Sequence, residues 1–480
     1  MADFTGFVGS AYQAPSIYQD AQECINWYLE TDPTKPQESR GVQALYPTPG
    51  LLMKFQFANV AEVRCMYALP GGASMLAVCG NKLYLVSAAF VATAVGTLAT
   101  TAGQVSISDN RISAYIVDGS NRYSYTIASN VFATISPSDG AFTGADRVDY
   151  CDNFFVYNMP GSNQWAATGA LSTVTPALSF SSKDSSPDNI VTLIVDHREV
   201  FLIGEKTTER WVNVGSFPFP FQRIPGTSTQ HGCVAKNSIA RLGESVCWLS
   251  QDGRGQAIVI MMAGYTPQRK STHAVENDIF GGVIKDAIAY TYQQAGHEFY
   301  VLTFPTQDKT WVYDLATDTW HKRAYRDNLN ILHRHWSNCQ VVFQGLNLVG
   351  DYANGRVYSL DLNTYTDNGQ PILRLRRTPH LTSSLKRIFY DFLQVQFQPG
   401  VGLSTGQGSS PQMMLRWSDD GASTWSAYNA VAIGAIGAFK NRAIKRRMGW
   451  ARDRVYEVSI TDPVRAVIIS AELQTSSGSS

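Results

Sequence analysis

Short apolar runs rich in β-branched and aromatic residues recur along most of this chain, each followed by a polar turn and a second such run. The pairs are 75–78 with 82–86, 112–117 with 123–127, 199–203 with 210–214, 245–249 with 257–261, 298–304 with 310–315, and 346–349 with 356–360; 154–157 stands without a partner. Runs of this length, broken by Gly, Asn or Asp, are the signature of strands joined by tight turns. One residue from the first run of each unit gives Leu76, Ala114, Phe155, Phe201, Trp248, Tyr300 and Leu348, with steps of 38, 41, 46, 47, 52 and 48 residues. Propeller blades repeat at about 40–50 residues, and propellers carry about 4–8 of them. The spacing therefore predicts an all-β chain whose body is a β-propeller of about seven blades. Hairpins in stacked β-sandwiches would give a similar pattern.

The segment Trp311-Val-Tyr-Asp-Leu-Ala-Thr-Asp-Thr-Trp320 reads like the inner part of a Kelch-type blade, its two Trp residues acting as packing wedges. A single helix is expected from Thr272 to Phe280, capped by Ser271 or Thr272, with Ala274, Val275, Ile279 and Phe280 as its apolar stripe. Residues 83–108 are uncharged but rich in Ala, Thr, Ser and Gly, which fits strand and loop better than a membrane span. Beyond Leu385 the pattern changes. Alternation over 389–397, a Gly/Ser-rich loop over 399–411 and further runs at 413–417, 457–460 and 464–470 predict a small C-terminal β-sandwich-like domain. The expected organisation is an N-terminal arm or extended segment over 1–60, the propeller over 61–370, the sandwich with a basic segment over 371–474, and a polar, disordered tail over 475–480.

Charged residues are only 16% of the 480, against an average of about 25%. Low charge suits a surface hidden in an assembly, although a large all-β monomer looks the same. Charge is also uneven. Residues 371–454 hold 13 Lys and Arg against 4 Asp and Glu, a net of +9, so the remainder of this neutral chain carries −9. Such asymmetry points to nucleic acid or an acidic protein neighbour. Seven widely spaced cysteines without a C-x-x-C read as reduced, mostly buried thiols. The N-terminus has no basic region followed by an apolar core, so no signal peptide is expected.

No Walker loop, G-x-S-x-G elbow, H-E-x-x-H or paired-cysteine zinc pattern occurs. No catalytic, cofactor-binding or metal residue is assigned. His333, His335 and Cys339 are weighed as a metal set; with no further ligand in view, a pair of satisfied histidines is preferred. The segment Ser418-Asp-Asp-Gly-Ala-Ser-Thr-Trp425 resembles the Asp-box of sialidases, with Ala422 in place of a second glycine. That box is a structural turn. Asp420 is expected to accept turn N–H bonds, Ser418 belongs to the same structural turn, and Trp425 is expected to plug the neighbouring core. Lys440, Arg442, Lys445, Arg446, Arg447, Arg452 and Arg454 form a basic cluster around Trp450. Three readings stay open for it: a solvated face, a contact with an acidic protein neighbour, and a DNA contact.

Three blocks carry a resemblance. They are Cys24-Ile-Asn-Trp-Tyr-Leu-Glu30 with Leu45-Tyr-Pro-Thr-Pro-Gly-Leu51; the series Gly232–Ile239, Val246–Leu249, Ser271–Glu276, Gly296–Tyr300 and Trp311–Leu315; and Arg416–Gly421 with Arg446–Gly449 and Ala451–Glu457. Together they resemble the packaged-DNA stabilisation, or tail hub and nozzle, proteins of short-tailed bacteriophages. The resemblance implies a non-enzymatic virion tail protein, assembled in the host cytoplasm as a homo-hexameric ring below the portal and adaptor. Such a ring extends the channel for packaged double-stranded DNA, holds that DNA in, and offers attachment to tailspikes or fibres and to a needle or plug. It implies no cofactor and no small-molecule substrate. Two other readings remain open: a carbohydrate-active or carbohydrate-binding propeller, and another virion fibre or head-completion protein.

Overall fold

A computed structural model describes residues 2–36, 41–136, 139–140, 144–384 and 386–478. Seven four-stranded antiparallel blades follow one another, five as separate sheets and blades six and seven as parts of larger ones. Blades one to six span 63–97, 106–134, 148–182, 190–223, 240–269 and 288–322. Blade seven is built from Ser337–Phe343, Leu346–Asp351 and Arg356–Asp361, and its fourth strand is Gly50–Gln56, from before blade one. That strand pairs Leu51 with Leu360 and Gln56 with Arg356. The ring therefore opens only if a sheet is broken. Gly50 permits the closure: its N–H meets Thr364 O at 2.9 Å, and a Cβ there would lie 2.4 Å from the same oxygen.

The seven residues of the sequence repeat all lie on the second strand of their blade, each with no more than 4% of its surface exposed. These strands are sandwiched between blade neighbours. For example, Trp248 packs among Ile194, Phe201 and Ile203 of blade four. The helix runs over His273–Ile279, capped by Thr272, whose side chain accepts from Val275 N. Ala274, Val275 and Ile279 are buried as expected, but Phe280 is exposed because it follows the last turn. Trp311 and Trp320 are buried wedges, yet they stand on the third and fourth strands of blade six, the outer half of the blade and not its inner part.

The first sixty residues form no separate arm. Besides the closing strand, they supply strands to a C-terminal sandwich. One sheet orders Trp27–Thr31, Gln43–Pro47, Ile468–Ser477, Ile388–Phe397 and Ala443–Arg446. The other orders Ala21–Ile25, Arg374–Arg377, Asp453–Ile460, Gln412–Ser418 and Asn429–Ala432, and joins blade six through a parallel bridge from Ile25 to Lys322. Asn26 is the corner between the sheets. Its left-handed backbone (φ 55°) turns the chain, while its side chain donates to Ala324 O and Leu373 O, both at 2.8 Å. Next to it, Trp27 is fully buried in a core shared by Leu393, Met413 and Val458 of the sandwich and by Leu249 and Trp311 of blades five and six. Sequence alternation could not reveal this, because the partners lie over 200 residues away. The polar tail is also shorter than expected: Thr475, Ser476 and Ser477 pair with Tyr390, Phe389 and Ile388, and only 479–480 fall outside the described residues.

A buried histidine ties the N-terminal segment to blade six. His297 hydrogen-bonds Asp314 at 2.7 Å through Nδ1 and Glu30 at 2.8 Å through Nε2. Burial alone would disfavour its imidazolium, but the two carboxylates outweigh it and raise its pKa from 6.5 to about 9. A raised pKa favours the fold while the group is protonated. Its contribution is thus complete below about pH 6.5 and disappears as pH climbs through 9. Stability should fall by up to about 3 kcal/mol across that window. Denaturant titrations at its two ends should show the loss in the parent and a flattened profile in His297→Gln.

Candidate docking face

The hairpin between Gln412–Ser418 and Asn429–Ala432 holds the Asp-box as a turn. Ser418 Oγ accepts from Ala422 N at 2.8 Å and donates to Asp420 Oδ1 at 2.7 Å. Asp420 in turn accepts from the Thr424 hydroxyl at 2.6 Å and the Thr424 N–H at 2.8 Å. Those bonds from Thr424, with that from Ser418, hold its carboxyl down at about 2. Ala422 tolerates the position of the missing glycine in a left-handed conformation, φ 71°. Trp425 does not plug the core. It is half-buried, with the guanidinium of Arg416 at 4.7 Å and that of Arg377 at 4.9 Å from its ring centre. Both arginines are fixed by the fully buried Glu457, which accepts from Arg416 Nε at 2.6 Å and Arg377 Nη2 at 2.9 Å.

The seven basic residues are not one surface. Arg454 is buried, bidentate to Asp419 at 2.6 and 2.8 Å, and 4.1 Å from the centre of the Tyr390 ring. It belongs to the core, because it falls on an inward-facing position of the long strand Asp453–Ile460. Lys440 and Arg442 lie on the loop entering Ala443–Arg446, Lys445 is half-buried on that strand, and Arg446, Arg447 and Arg452 are exposed beyond its middle.

The strand Ala443–Arg446 edges its sheet, and Arg446 sits opposite Phe392, its guanidinium 5.4 Å from that ring. One step along, Phe389 pairs with Trp450, and both are exposed. Arg387 covers the Trp450 ring at 4.6 Å. The result is an open sheet face carrying Arg387, Phe389, Phe392, Arg446 and Trp450, a composition suited to binding an acidic, partly apolar partner. Arg387 and Phe389 were not singled out from the sequence. Their signal was present: Lys386-Arg387 directly precedes an alternating strand, which brings them beside a cluster sixty residues away.

The propeller axis is narrow. Its cavity of about 210 Å³ is lined by Arg64, Met66, Ile107, Arg147, Tyr290 and Asn338, among others. A cavity of that size is far short of a nucleic-acid duplex. Arg64 is buried and spends its guanidinium on carbonyls, at 3.0 Å to Gly80 and 2.8 Å to Thr100. The weighed metal set does not converge. His333 pairs with Asp308 and Asp327, His335 bonds Ser337 with burial lowering its pKa to about 3, and Cys339 donates to Val63 O. No metal-binding group of three or more His, Cys, Asp or Glu occurs among the described residues. All seven cysteines are free thiols.

Residues 71–365 match the family model described as bacteriophage P22 Gp10, β-propeller, and residues 374–476 match bacteriophage P22 Gp10, β-sandwich. The chain belongs to the bacteriophage P22 Gp10 family. It is therefore a packaged-DNA stabilisation protein of the phage tail, a structural virion component and not an enzyme. The Gp10 assignment sets the carbohydrate-active enzyme aside and agrees with a propeller followed by a sandwich. No curated protein matches the chain. Among solved structures, the N-terminal domain of Nup159 is similar at 12% identity and a TM-score of 0.41, covering 69% of this chain and 98% of its own. The WD40 β-propeller domain of Doa1 is similar at 10% identity and 0.40, covering 65% and 98%, and the Myceliophteria thermophila Cps50 (Swd1) propeller at 7% and 0.41, covering 64% and 98%. Likeness at this level says nothing of function.

Proposed function

We propose that this Gp10 relative is the nozzle of a short tail: a homo-hexameric ring that extends the DNA channel below the portal and adaptor, retains packaged DNA, and offers attachment to tailspikes or fibres and to a needle or plug. The open face around Arg446 and Trp450 is the observation that most supports it. A stiff, closed propeller with one uncovered basic and aromatic sheet face is built to be held by a neighbour. Because the propeller axis has no room for a duplex, the DNA path in this reading lies between subunits. The lumen need not be basic. Each Lys or Arg engaged on phosphate strengthens binding and would retard ejection, so the basic face is assigned to an acidic protein surface on the next subunit or on the adaptor.

The test is retention of DNA. Particles lacking the protein should package DNA and then lose it. Particles carrying Arg446→Glu with Arg447→Glu should show the same leakage, because the variant folds but fails to dock. Docking of the parent should weaken as salt rises, since exposed pairs are screened over about 8–10 Å. A double variant that docks normally and loses only DNA retention would move the face to DNA. Heads that stay full without the protein would remove the proposal.

A further inference from the structure

The loop joining the two distal sandwich edges carries a feature that the nozzle reading does not use. It runs from Ile433 to Arg442, between Asn429–Ala432 of one sheet and Ala443–Arg446 of the other, at the sandwich side farthest along the sheets from blade six. At its tip Ile436 and Phe439 are 62% and 71% exposed, and Leu403 of the facing loop is 39% exposed. These side chains are not loose. Asn441 Nδ2 donates to Ala432 O at 2.9 Å, Ala438 N to Ala435 O at 3.0 Å and Ile433 N to Pro411 O at 3.0 Å, so the loop is braced within itself and against the neighbouring backbone. Gly400 and Gly402 let the facing loop seat it: Cβ atoms there would fall 2.6 Å from the Phe439 ring and from Ile436 N. The fold holds two large apolar groups out into solvent on purpose-built backbone.

Directly behind the tip the charge is one-sided. Residues 433–447 read IGAIGAFKNRAIKRR, with five Lys and Arg and no Asp or Glu. Lys440 and Arg442 line a cavity of about 500 Å³ together with Phe439, Gln394, Gln396 and a single carboxylate, Glu472. Asp462, near the base of the facing loop, is engaged by Gln412 N at 2.8 Å. An apolar point backed by cations matches a layered surface that is apolar inside and anionic outside. A bilayer of anionic lipid has that order, with acyl chains for Ile436 and Phe439 and phosphates at the depth of Lys440 and Arg442. A protein partner fits less well, because two side chains on one loop offer far less than the about 800 Å² per partner of a stable interface. We infer that the loop 433–442 docks on anionic lipid by inserting Ile436 and Phe439 into its interface.

Co-sedimentation of the full chain with vesicles tests this, comparing phosphatidylcholine alone with an equal mixture of phosphatidylcholine and phosphatidylglycerol. Binding should appear with the anionic vesicles and weaken as salt is added. Ile436→Ser with Phe439→Ser should reduce it at least tenfold while leaving the melting temperature unchanged, since both side chains are already exposed. Lys440→Glu with Arg442→Glu should abolish the preference for phosphatidylglycerol. No binding to the mixed vesicles, or binding undiminished in the serine variant, would overturn the inference. So would failure of the serine variant to join the tail, because the tip would then be a protein contact. These outcomes are separate from DNA retention in Arg446→Glu with Arg447→Glu, so failure here leaves the nozzle proposal standing.

Discussion

Replacing Arg376 with alanine is expected to destabilise the protein by about 4 kcal/mol, the order set by losing a buried, hydrogen-bonded charge. Arg376 is fully buried in the strand Arg374–Arg377 and holds the N-terminal segment in place. Its Nε donates to Phe7 O at 2.7 Å, one terminal nitrogen to Ser10 O at 2.8 Å, and the other to Gly6 O at 2.8 Å and Gln22 Oε1 at 2.7 Å. Burial lowers the guanidinium to about 10, which still leaves it charged at neutral pH. Without it, the carbonyls of Gly6, Phe7, Ser10 and Glu23 lose this donor, and the loop that seats Phe4 and Phe7 in the sandwich core loses its anchor. Arg376→Lys should recover only part of the loss, because an ammonium cannot span partners arranged for a planar fork. Denaturant titration measures the size, and limited proteolysis should show faster release of residues 1–20. Parent-like stability and cleavage would mean that the segment is held by packing alone.

Trp248→Ala should cost about 3–5 kcal/mol, and Trp311→Ala a similar amount, as for other buried aromatic truncations. Trp248 is wholly enclosed between blades four and five and donates to Gly232 O at 2.9 Å. Trp311 is 1% exposed and donates to Asp278 Oδ2 at 3.0 Å, which couples blade six to the helix His273–Ile279. Each substitution leaves a cavity where a fully buried indole stood. Trp425→Ala is the contrast: its ring lies under two guanidiniums at the surface, so the change should cost well under half as much. Thermal melting of the three variants checks the register directly. Unchanged melting for Trp248→Ala or Trp311→Ala would show that the blades are aligned wrongly.

The second strand of every blade, and the third strand of every blade except blade three (Gln164–Ala167), were legible because both of their faces are covered, so they read as continuous apolar runs. The inner and outer strands were not. Ser106–Asp109, on the axis side, carries a single apolar residue, and Val131–Thr134, on the solvent side, is only four residues long. Gly50–Gln56 has the composition of a strand, but only its partner, Arg356–Asp361, shows that it closes the ring. The same limit divides the basic cluster. Arg446 and Arg454 are alike in a list of charges, yet strand register sends one to solvent and the other to Asp419. Trp425 likewise sits at a position where the turn motif suggests a core plug, and two arginines claim it instead.

Cryo-electron microscopy of tails from particles with and without this protein tests the central claim most directly. Parent tails should show a six-fold ring below the adaptor, with seven-bladed propellers around a channel that passes between subunits, and the ring should vanish from emptied particles that lack the protein. Identical tails in both samples, or DNA density threading a propeller axis, would contradict it.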